Sequence, residues 1–210
     1  MPIAREGWPL ILVPLGLAVV LFLLRWPWTG GVLLLLGLFT AYFFRDPERT
    51  VPADPRLVLS PADGKVIVAG PAPAGNPIGE GAHQVSVFLS IFDVHVNRAP
   101  VGGRISHVEY HEGEFLPAFQ DKASLANEQN SVTIDDGAGG RRVTFKQIAG
   151  LIARRIVFKK RVGDAVAAGE RVGMIKFGSR VDVFLPREVQ LRVKRGDRVV
   201  AGESALGERP

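Results

Sequence analysis

Two uncharged apolar runs open the chain and lie almost end to end. The first covers residues 8–24 and the second residues 26–44, with Arg25 as the only charge between them. The runs are 17 and 19 residues long, and a helix needs roughly 20 apolar residues to cross about 30 Å of hydrocarbon. Neither run has a polar face, which disfavours a buried hairpin of a soluble core. The pattern predicts a membrane-anchoring helical hairpin in residues 1–48.

The ends of the runs favour a hairpin over a cleaved signal peptide. A signal peptide has one short apolar stretch followed by a small-residue cleavage site, whereas here the apolar sequence resumes after a turn. We place that turn at Pro27, Gly30 and Gly31. Arginines precede the first run and follow the second, so the positive-inside rule predicts cytoplasmic termini. The remaining domain is then expected on the cytoplasmic face of the cell membrane.

From residue 49 onward, short runs rich in Val and Ile alternate with Gly and Pro. Such runs are typical of strands, and together they predict one mainly β domain over residues 49–210. The predicted strands are residues 64–69, 84–91, 132–134, 143–148, 152–158, 181–185 and 189–193. Residues 114–128 are the best candidate for a short helix or an ordered loop.

An eight-residue pattern, G-D-x-V-x-A-G-E, occurs at residues 163–170 and again at 196–203. Glycine at each end permits a positive φ, and Asp can accept hydrogen bonds from nearby backbone amides, so each copy predicts a turn that leads into a short strand. The repeat resembles the barrel-sandwich-hybrid folds of biotinyl and lipoyl carrier domains. It therefore predicts a barrel-sandwich-hybrid-like β domain, and a fold by itself carries no function.

Composition narrows the partners and the chemistry. The formal charge of +5 and the pI near 9.9 favour contact with anionic lipid headgroups. There is no basic helix interleaved with aromatics and no zinc-ligand spacing, so we expect no nucleic-acid partner. The absence of cysteine excludes disulfides and thiolate nucleophiles. His107 and His111 have a helical metal-site spacing, but their strand-like surroundings predict surface or packing roles and no metal site.

The dipeptide Gly178-Ser179 lies between the two repeats, in K-F-G-S-R-V-D-V. Taken alone, Gly-Ser is most often a β-turn. In a strained bond, however, the serine hydroxyl can attack the preceding glycine carbonyl and convert the amide into an ester. Elimination then leaves dehydroalanine, which hydrolyses to a pyruvoyl group. Its ketone can form an imine (Schiff base) with a substrate amine and accept electrons as carboxylate leaves, work that pyridoxal phosphate usually does.

Two further motifs carry groups that could assist this chemistry. Asp63 lies in S-P-A-D-G just before a predicted strand, and His95 lies in D-V-H-V-N-R-A-P just after one. For either residue alone the ordinary interpretation is favoured: Asp63 as a turn former and His95 as a satisfied histidine at a strand end. The functional hypothesis is that His95, oriented by a carboxylate, carries protons and helps Ser179 lose its own.

Five motifs in order resemble the short bacterial and archaeal phosphatidylserine decarboxylase proenzymes. They are A-Y-F-F-R-D-P-E-R at residues 41–49, S-P-A-D-G at 60–64, D-V-H-V-N-R-A-P at 93–100, Y-H-E-G-E-F at 110–115 and F-G-S-R-V-D-V at 177–183. The resemblance covers nearly the whole chain. It implies a precursor that splits between Gly178 and Ser179. The products would be a β chain of residues 1–178 and an α chain of residues 179–210, which remain a heterodimer with Ser179 converted to the covalent pyruvoyl cofactor.

The resemblance also implies site residues and an activity. An Asp-His-Ser set for self-cleavage matches Asp63, His95 and Ser179, although larger relatives have a second histidine, in D-x-H-x-x-H, where this chain has Arg98. The implied reaction is decarboxylation of membrane phosphatidylserine to phosphatidylethanolamine and CO2 in phospholipid biosynthesis. Two alternatives remain open: an ether-linked archaeal serine phospholipid as substrate, and a non-catalytic, membrane-tethered biotinyl-like module with Lys176 as its modified residue.

Overall fold

A computed structural model describes residues 2–120, 122–137, 142–151, 155–176 and 178–210. The chain divides into two compact units, Met1–Glu48 and Arg49–Pro210. Residues 152–154 of the strand predicted at 152–158 lie outside the described residues, and so does Phe177 of the F-G-S-R-V-D-V motif.

The first unit is a pair of apolar helices, as predicted. A short 3-10 turn, Arg5–Gly7, leads into α1, Trp8–Leu23, and α2 is Pro27–Phe43. The connection is residues 24–26, where Arg25 adopts a φ of 63°. The predicted position of the turn was therefore wrong, because residues 27–31 open α2. Proline suits the first helical turn, where its missing N–H has no helical partner to lose, and glycine is common in apolar helices.

The two helices pack through small residues. A Cβ placed on Gly37 of α2 would lie 2.5 Å from a methyl of Leu15, so glycine at that position allows the close approach. Large apolar side chains point outward, with Trp28 90% exposed. One helical stretch, Arg5–Leu23, is long and apolar enough to cross a membrane, and α2 is slightly shorter. These properties favour association of this unit with a membrane.

The second unit is mainly β, which confirms the predicted class. Its helix α3, Ala123–Ala126, is much shorter than residues 114–128. Its strands are β1 Leu57–Leu59, β2 Gly64–Pro71, β3 His83–Leu89, β4 Val96–Arg98, β5 Gly103–His111, β6 Gln129–Asp135, β7 Arg142–Ile148, β8 Ile156–Phe158, β9 Ala165–Val166, β10 Arg171–Ile175, β11 Ser179–Leu185, β12 Gln190–Leu191, β13 Arg198–Val199 and β14 Ala205–Glu208.

Eight strands form one curled antiparallel sheet in the order β13-β2-β3-β11-β7-β6-β5-β9. The neighbours of β11 are β3 and β7, so the Gly178-Ser179 dipeptide lies at the start of a central strand. Alternate residues of the central strands face the hydrophobic core, among them Val85, Val87, Leu89, Val181, Val183 and Leu185. Two three-stranded sheets, β1-β14-β12 and β4-β10-β8, complete the unit.

The two copies of the repeat fold alike, each as a turn that leads into a short strand. The carboxylate of Asp164 accepts a hydrogen bond from the Arg161 amide at 2.8 Å, and Asp197 accepts one from the Lys194 amide at 3.0 Å. The first glycines have φ of 96° and 102°, and the second glycines 74° and 75°. Glycine is required there because other residues rarely adopt these angles.

Candidate active site

The Gly178-Ser179 peptide lies at the buried start of β11. Ser179 pairs with Leu89 of β3 and is fully buried. Its hydroxyl oxygen is buried and has no hydrogen-bond partner among the described residues. Gly178 has a φ of 65°, a conformation that costs other residues roughly 1–2 kcal/mol. Within the described part of the chain, no hydrogen bond therefore competes with a reaction of the Ser179 oxygen.

His95 contacts the same peptide segment. Its ring is buried, and Nδ1 lies 2.9 Å from the carbonyl oxygen of Asp93. The backbone N–H of Gly178 donates to Nε2 at 3.2 Å. A carbonyl accepts and an amide N–H donates, so these partners assign the proton to Nδ1 and the lone pair to Nε2. We expected a carboxylate to orient the ring, whereas a main-chain carbonyl takes that position.

Asp63 is held from two sides. Its carboxylate accepts a hydrogen bond from the guanidinium of Arg49 at 2.8 Å and another, also at 2.8 Å, from the backbone N–H of Ala201. Burial raises the pKa of the Asp63 carboxyl above its ordinary value, against the opposing effect of these two partners. Arg49 is therefore a partner of Asp63 that could not be predicted from sequence. Arg49 does end the first of the five motifs.

A second carboxylate, that of Asp93, lies close enough to Asp63 to interact with it electrostatically. Arg198 donates to Asp93 at 2.7 Å, and the hydroxyl of Ser90 donates at 2.7 Å. Burial alone raises the pKa of Asp93, but the bonds from Arg198 and Ser90 outweigh it and lower the pKa below its ordinary value. Because the Asp93 carbonyl also orients His95, these bonds fix the loop that carries the imidazole.

This lowered pKa predicts a pH-dependent contribution to stability. The ionised Asp93 carboxylate stabilises the fold fully above its ordinary pKa of 3.8. This stabilisation is lost as the pH falls through the lower pKa that Asp93 has in the folded protein. Asp93→Asn should therefore reduce the melting temperature near neutral pH, with a deficit that shrinks in acid. Both chains would carry Ser179→Ala so that each remains a single polypeptide. A deficit that grows on acidification would contradict this assignment.

Arg98 lies three residues after His95, at the position where the resemblance led us to compare it with a histidine. It is 5% exposed, and its guanidinium donates to the carbonyl of Gly169 at 2.9 Å. Gly169 belongs to the first repeat, and Ala201, which binds Asp63, belongs to the second. The two repeats therefore hold two motif residues through main-chain groups. The guanidinium of Arg98 thus ties strand β4 to the first repeat.

Gly150, which sequence reasoning missed, packs against the candidate cleavage carbonyl. A Cβ placed on Gly150 would lie 2.1 Å from the carbonyl oxygen of Gly178 and 3.3 Å from the Cβ of Ala118. Two atoms cannot approach so closely, so any side chain at this position displaces the Gly178 carbonyl or the Gly150 backbone. The absence of a side chain at position 150 is therefore a condition for the observed geometry.

Gly150→Ala should consequently slow cleavage at Gly178-Ser179 about a hundredfold, because a displacement of roughly 1 Å can cost that much in a positioned reaction. Gly70→Ala is the matched control, since nothing lies within 4 Å of a Cβ there. Time courses on denaturing gels measure the rate, and thermal melts check the fold. Processing of Gly150→Ala at the rate of Gly70→Ala would show that the contact is unimportant.

A chain of three buried amides joins four segments around the site. Asn97, two residues after His95, donates to the carbonyl of Pro61 at 3.4 Å and accepts from Gln147 at 2.9 Å. Gln147 accepts in turn from Asn130 at 3.0 Å. The three side-chain amides are buried, and in each bond an amide nitrogen donates to an oxygen of the next group. The network links the turn that carries Asp63 to the strand that follows His95.

Arg180 and Asp182, which follow Ser179 on β11, form a buried ion pair on the other face of the sheet. Arg180 is 2% and Asp182 1% exposed, and Nε lies 2.5 Å from Oδ1. Ser86 accepts from Arg180 at 2.9 Å, and Ser124 of α3 donates to Asp182 at 2.6 Å. Buried charges need such partners. The pair therefore anchors the strand that starts at the candidate cleavage site.

His107 and His111 lie on strand β5, as predicted, and away from this cluster. Both are exposed, and their Nε2 atoms lie 3.4 Å and 3.2 Å from the carboxylate of Glu109 between them. Within the described residues no group of three or more His, Cys, Asp or Glu side chains could hold a metal ion.

The cluster brings together a buried serine, a left-handed glycine and an imidazole, an arrangement that fits the active site of an enzyme. The family model described as "Phosphatidylserine decarboxylase" matches residues 36–207. The chain therefore belongs to the phosphatidylserine decarboxylase family, which argues against the non-catalytic alternative.

Several relatives are each named phosphatidylserine decarboxylase proenzyme. The protein from Geotalea uraniireducens is 44% identical over 209 residues, covering 100% of this chain and 97% of the relative. The protein from Symbiobacterium thermophilum is 45% identical over 208 residues, covering 99% and 96%. The protein from Solibacter usitatus is 52% identical over 177 residues, covering 84% and 82%.

Proposed function

We propose that this chain is a proenzyme that cleaves itself before Ser179 and then decarboxylates phosphatidylserine to phosphatidylethanolamine and CO2. One observation carries the proposal: the buried Ser179 hydroxyl has no hydrogen-bond partner among the described residues, beside a glycine whose N–H contacts His95. A buried hydroxyl normally finds a partner, so an orphan deserves a chemical explanation. Attack on the Gly178 carbonyl supplies one.

The first step is an acyl shift. The Ser179 oxygen bonds to the Gly178 carbonyl carbon, the carbon–nitrogen bond breaks, and the hydroxyl proton ends on the released amine. An ester replaces the amide without loss of atoms. His95 is the candidate to move this proton, because its Nε2 lone pair lies at the neighbouring Gly178. It would exchange the bond from the Gly178 N–H for one from the Ser179 hydroxyl.

The second step separates the chains. A base removes the proton on the Ser179 α-carbon. The bond between the Ser179 β-carbon and the ester oxygen then breaks, and its electron pair remains on the new Gly178 carboxylate. The resulting dehydroalanine takes up water and releases ammonia, so residue 179 becomes the pyruvoyl group that begins the α chain. The antiparallel pairing of β11 with β3 and β7 would keep the α chain of residues 179–210 bound to the β chain.

Decarboxylation would use the same cluster. When formed, the pyruvoyl ketone binds the substrate amine and accepts the electron pair that departing CO2 leaves behind. His95 is the candidate to return a proton to the substrate carbon. The guanidinium groups of Arg49 and Arg198 neutralise Asp63 and Asp93 close by. These pairs would limit repulsion between the site and an anionic lipid headgroup.

The helical hairpin would hold the enzyme on its lipid, with the β domain on the cytoplasmic face, as the distribution of arginines around the apolar runs indicates. The test is CO2 release from vesicles containing phosphatidylserine, with borohydride and a primary amine added to trap the ketone on the α chain. Parallel assays with diacyl and ether-linked serine lipids separate the two substrate hypotheses. A protein that releases CO2 from neither lipid would refute the proposed activity.

A further inference from the structure

Three large apolar side chains of the β domain are exposed at positions that follow buried or packed residues. Phe92 is 60%, Phe119 62% and Leu151 60% exposed. We call these three side chains the apolar rim. They come from three separate parts of the chain, so their exposure is not the result of one hydrophobic run in the sequence.

Each rim residue comes directly after a residue that packs around the candidate cleavage peptide. Ile91 precedes Phe92, and its Cγ2 lies 4.0 Å from a Cβ placed on Gly178. Gly150, which precedes Leu151, contacts the Gly178 carbonyl oxygen.

Ala118, which precedes Phe119, contacts Gly150, and the ring of Phe119 also packs edge-on against Phe88, 6.2 Å away. Each rim residue is therefore the chain neighbour of a residue that contacts Gly178 or Gly150.

The nature of the substrate indicates what covers this rim. A phospholipid presents its headgroup at the membrane surface while its acyl chains remain in hydrocarbon, so the reactive group at residue 179 must approach that surface. Apolar side chains around the reactive group would then enter the interfacial layer, where Phe and Leu are favourable. Two exposed cations lie close to rim residues along the chain, Lys122 three residues after Phe119 and Arg155 four residues after Leu151, and they suit an anionic lipid surface.

We propose that the apolar rim is a membrane-docking surface of the β domain itself, and that it seats the site on an anionic phospholipid bilayer. This inference rests on the proposed function for its choice of partner. It goes beyond anchoring by the hairpin, because it assigns membrane contact to three named side chains at the reaction site. A rim so placed delivers the headgroup to residue 179 without extracting the lipid.

The natural chain contains no cysteine, so a single introduced thiol can be labelled with an environment-sensitive fluorophore. Phe92→Cys, Phe119→Cys and Leu151→Cys report on the rim. Val162→Cys is the control, because Val162 is also 60% exposed but adjoins β9, at the sheet edge four strands from β11. The full chain is reconstituted in phosphatidylserine vesicles, with and without nitroxide-labelled lipid. We expect a blue shift and strong nitroxide quenching at the three rim positions and little at position 162.

Equal emission and quenching at all four positions would overturn the proposal. This measurement does not depend on cleavage or turnover, so a failure of the docking surface is distinguishable from a failure of the proposed chemistry. As a second measurement, Phe119→Ser with Leu151→Ser should raise the apparent KM for vesicle lipid about tenfold more than the KM for a short-chain, dispersed phosphatidylserine. An equal rise for both substrates would also contradict membrane docking.

Discussion

Ser179→Ala should give a single uncut chain with no decarboxylase activity above background. Without the hydroxyl there is no nucleophile for the Gly178 carbonyl and no atom from which the pyruvoyl ketone can form. The loss should be complete, because removal of Ser179 removes both the cleavage and its product. Denaturing gels and intact mass measure the first effect, and CO2 release from phosphatidylserine vesicles measures the second.

The control for Ser179→Ala is Ser106→Ala, which removes an exposed hydroxyl on β5. It should be cut and active like the natural chain. Circular dichroism shows whether the uncut variant keeps its β structure, so a folding defect is not mistaken for a chemical one. A Ser179→Ala chain that still splits, or still releases CO2, would contradict the role assigned to Ser179.

His95→Gln should slow cleavage by about a hundred- to ten-thousandfold, the range that general acid–base groups typically contribute. Glutamine can still offer a donor toward the Asp93 carbonyl and an acceptor toward the Gly178 N–H, but it cannot carry a proton at neutral pH. Turnover per cut chain should fall as well, if the same imidazole protonates the substrate. Time courses on gels give the cleavage rate, and CO2 release divided by the cut fraction gives the turnover.

His111→Gln is the matched control for His95→Gln, since His111 is an exposed histidine beside Glu109. It should change neither rate. Normal cleavage with lost turnover in His95→Gln would restrict His95 to decarboxylation. Normal values of both would remove His95 from the mechanism.

The class of each unit was predictable because it depends on local sequence pattern. An uncharged run has few options other than an apolar helix, and alternating Val-rich runs between glycines favour strands. The position of the hairpin turn was not predictable from Gly30 and Gly31. In an apolar helix glycine does not break the structure, and the turn is instead made at Arg25.

The residues of the site were easier to predict from the sequence than their arrangement in space. The Gly178-Ser179 dipeptide and the His95 motif could be found from sequence, and the structure brings His95 to the Gly178 amide. The pairing of carboxylates with guanidiniums could not be found. Arg198 is 105 residues from Asp93 along the chain, and sequence gives no measure of such long-range contacts.

Gly150 shows a different limit of sequence reasoning. A glycine is informative when its missing side chain makes room for another group, but that group, the Gly178 carbonyl, is visible only in three dimensions. The contacts of Asp63 and Asp93 could not be predicted from the sequence for the same reason. Sequence indicated a carboxylate near His95, whereas the ring contacts the main-chain carbonyl of Asp93.

The most direct test of the central claim is the intact mass of the purified natural chain. The account predicts two polypeptides divided after Gly178, with the α chain lighter than its serine-terminated form by one ammonia. Borohydride with a primary amine should add mass to that α chain alone. A single uncut polypeptide of 210 residues that nevertheless decarboxylates phosphatidylserine would contradict the account.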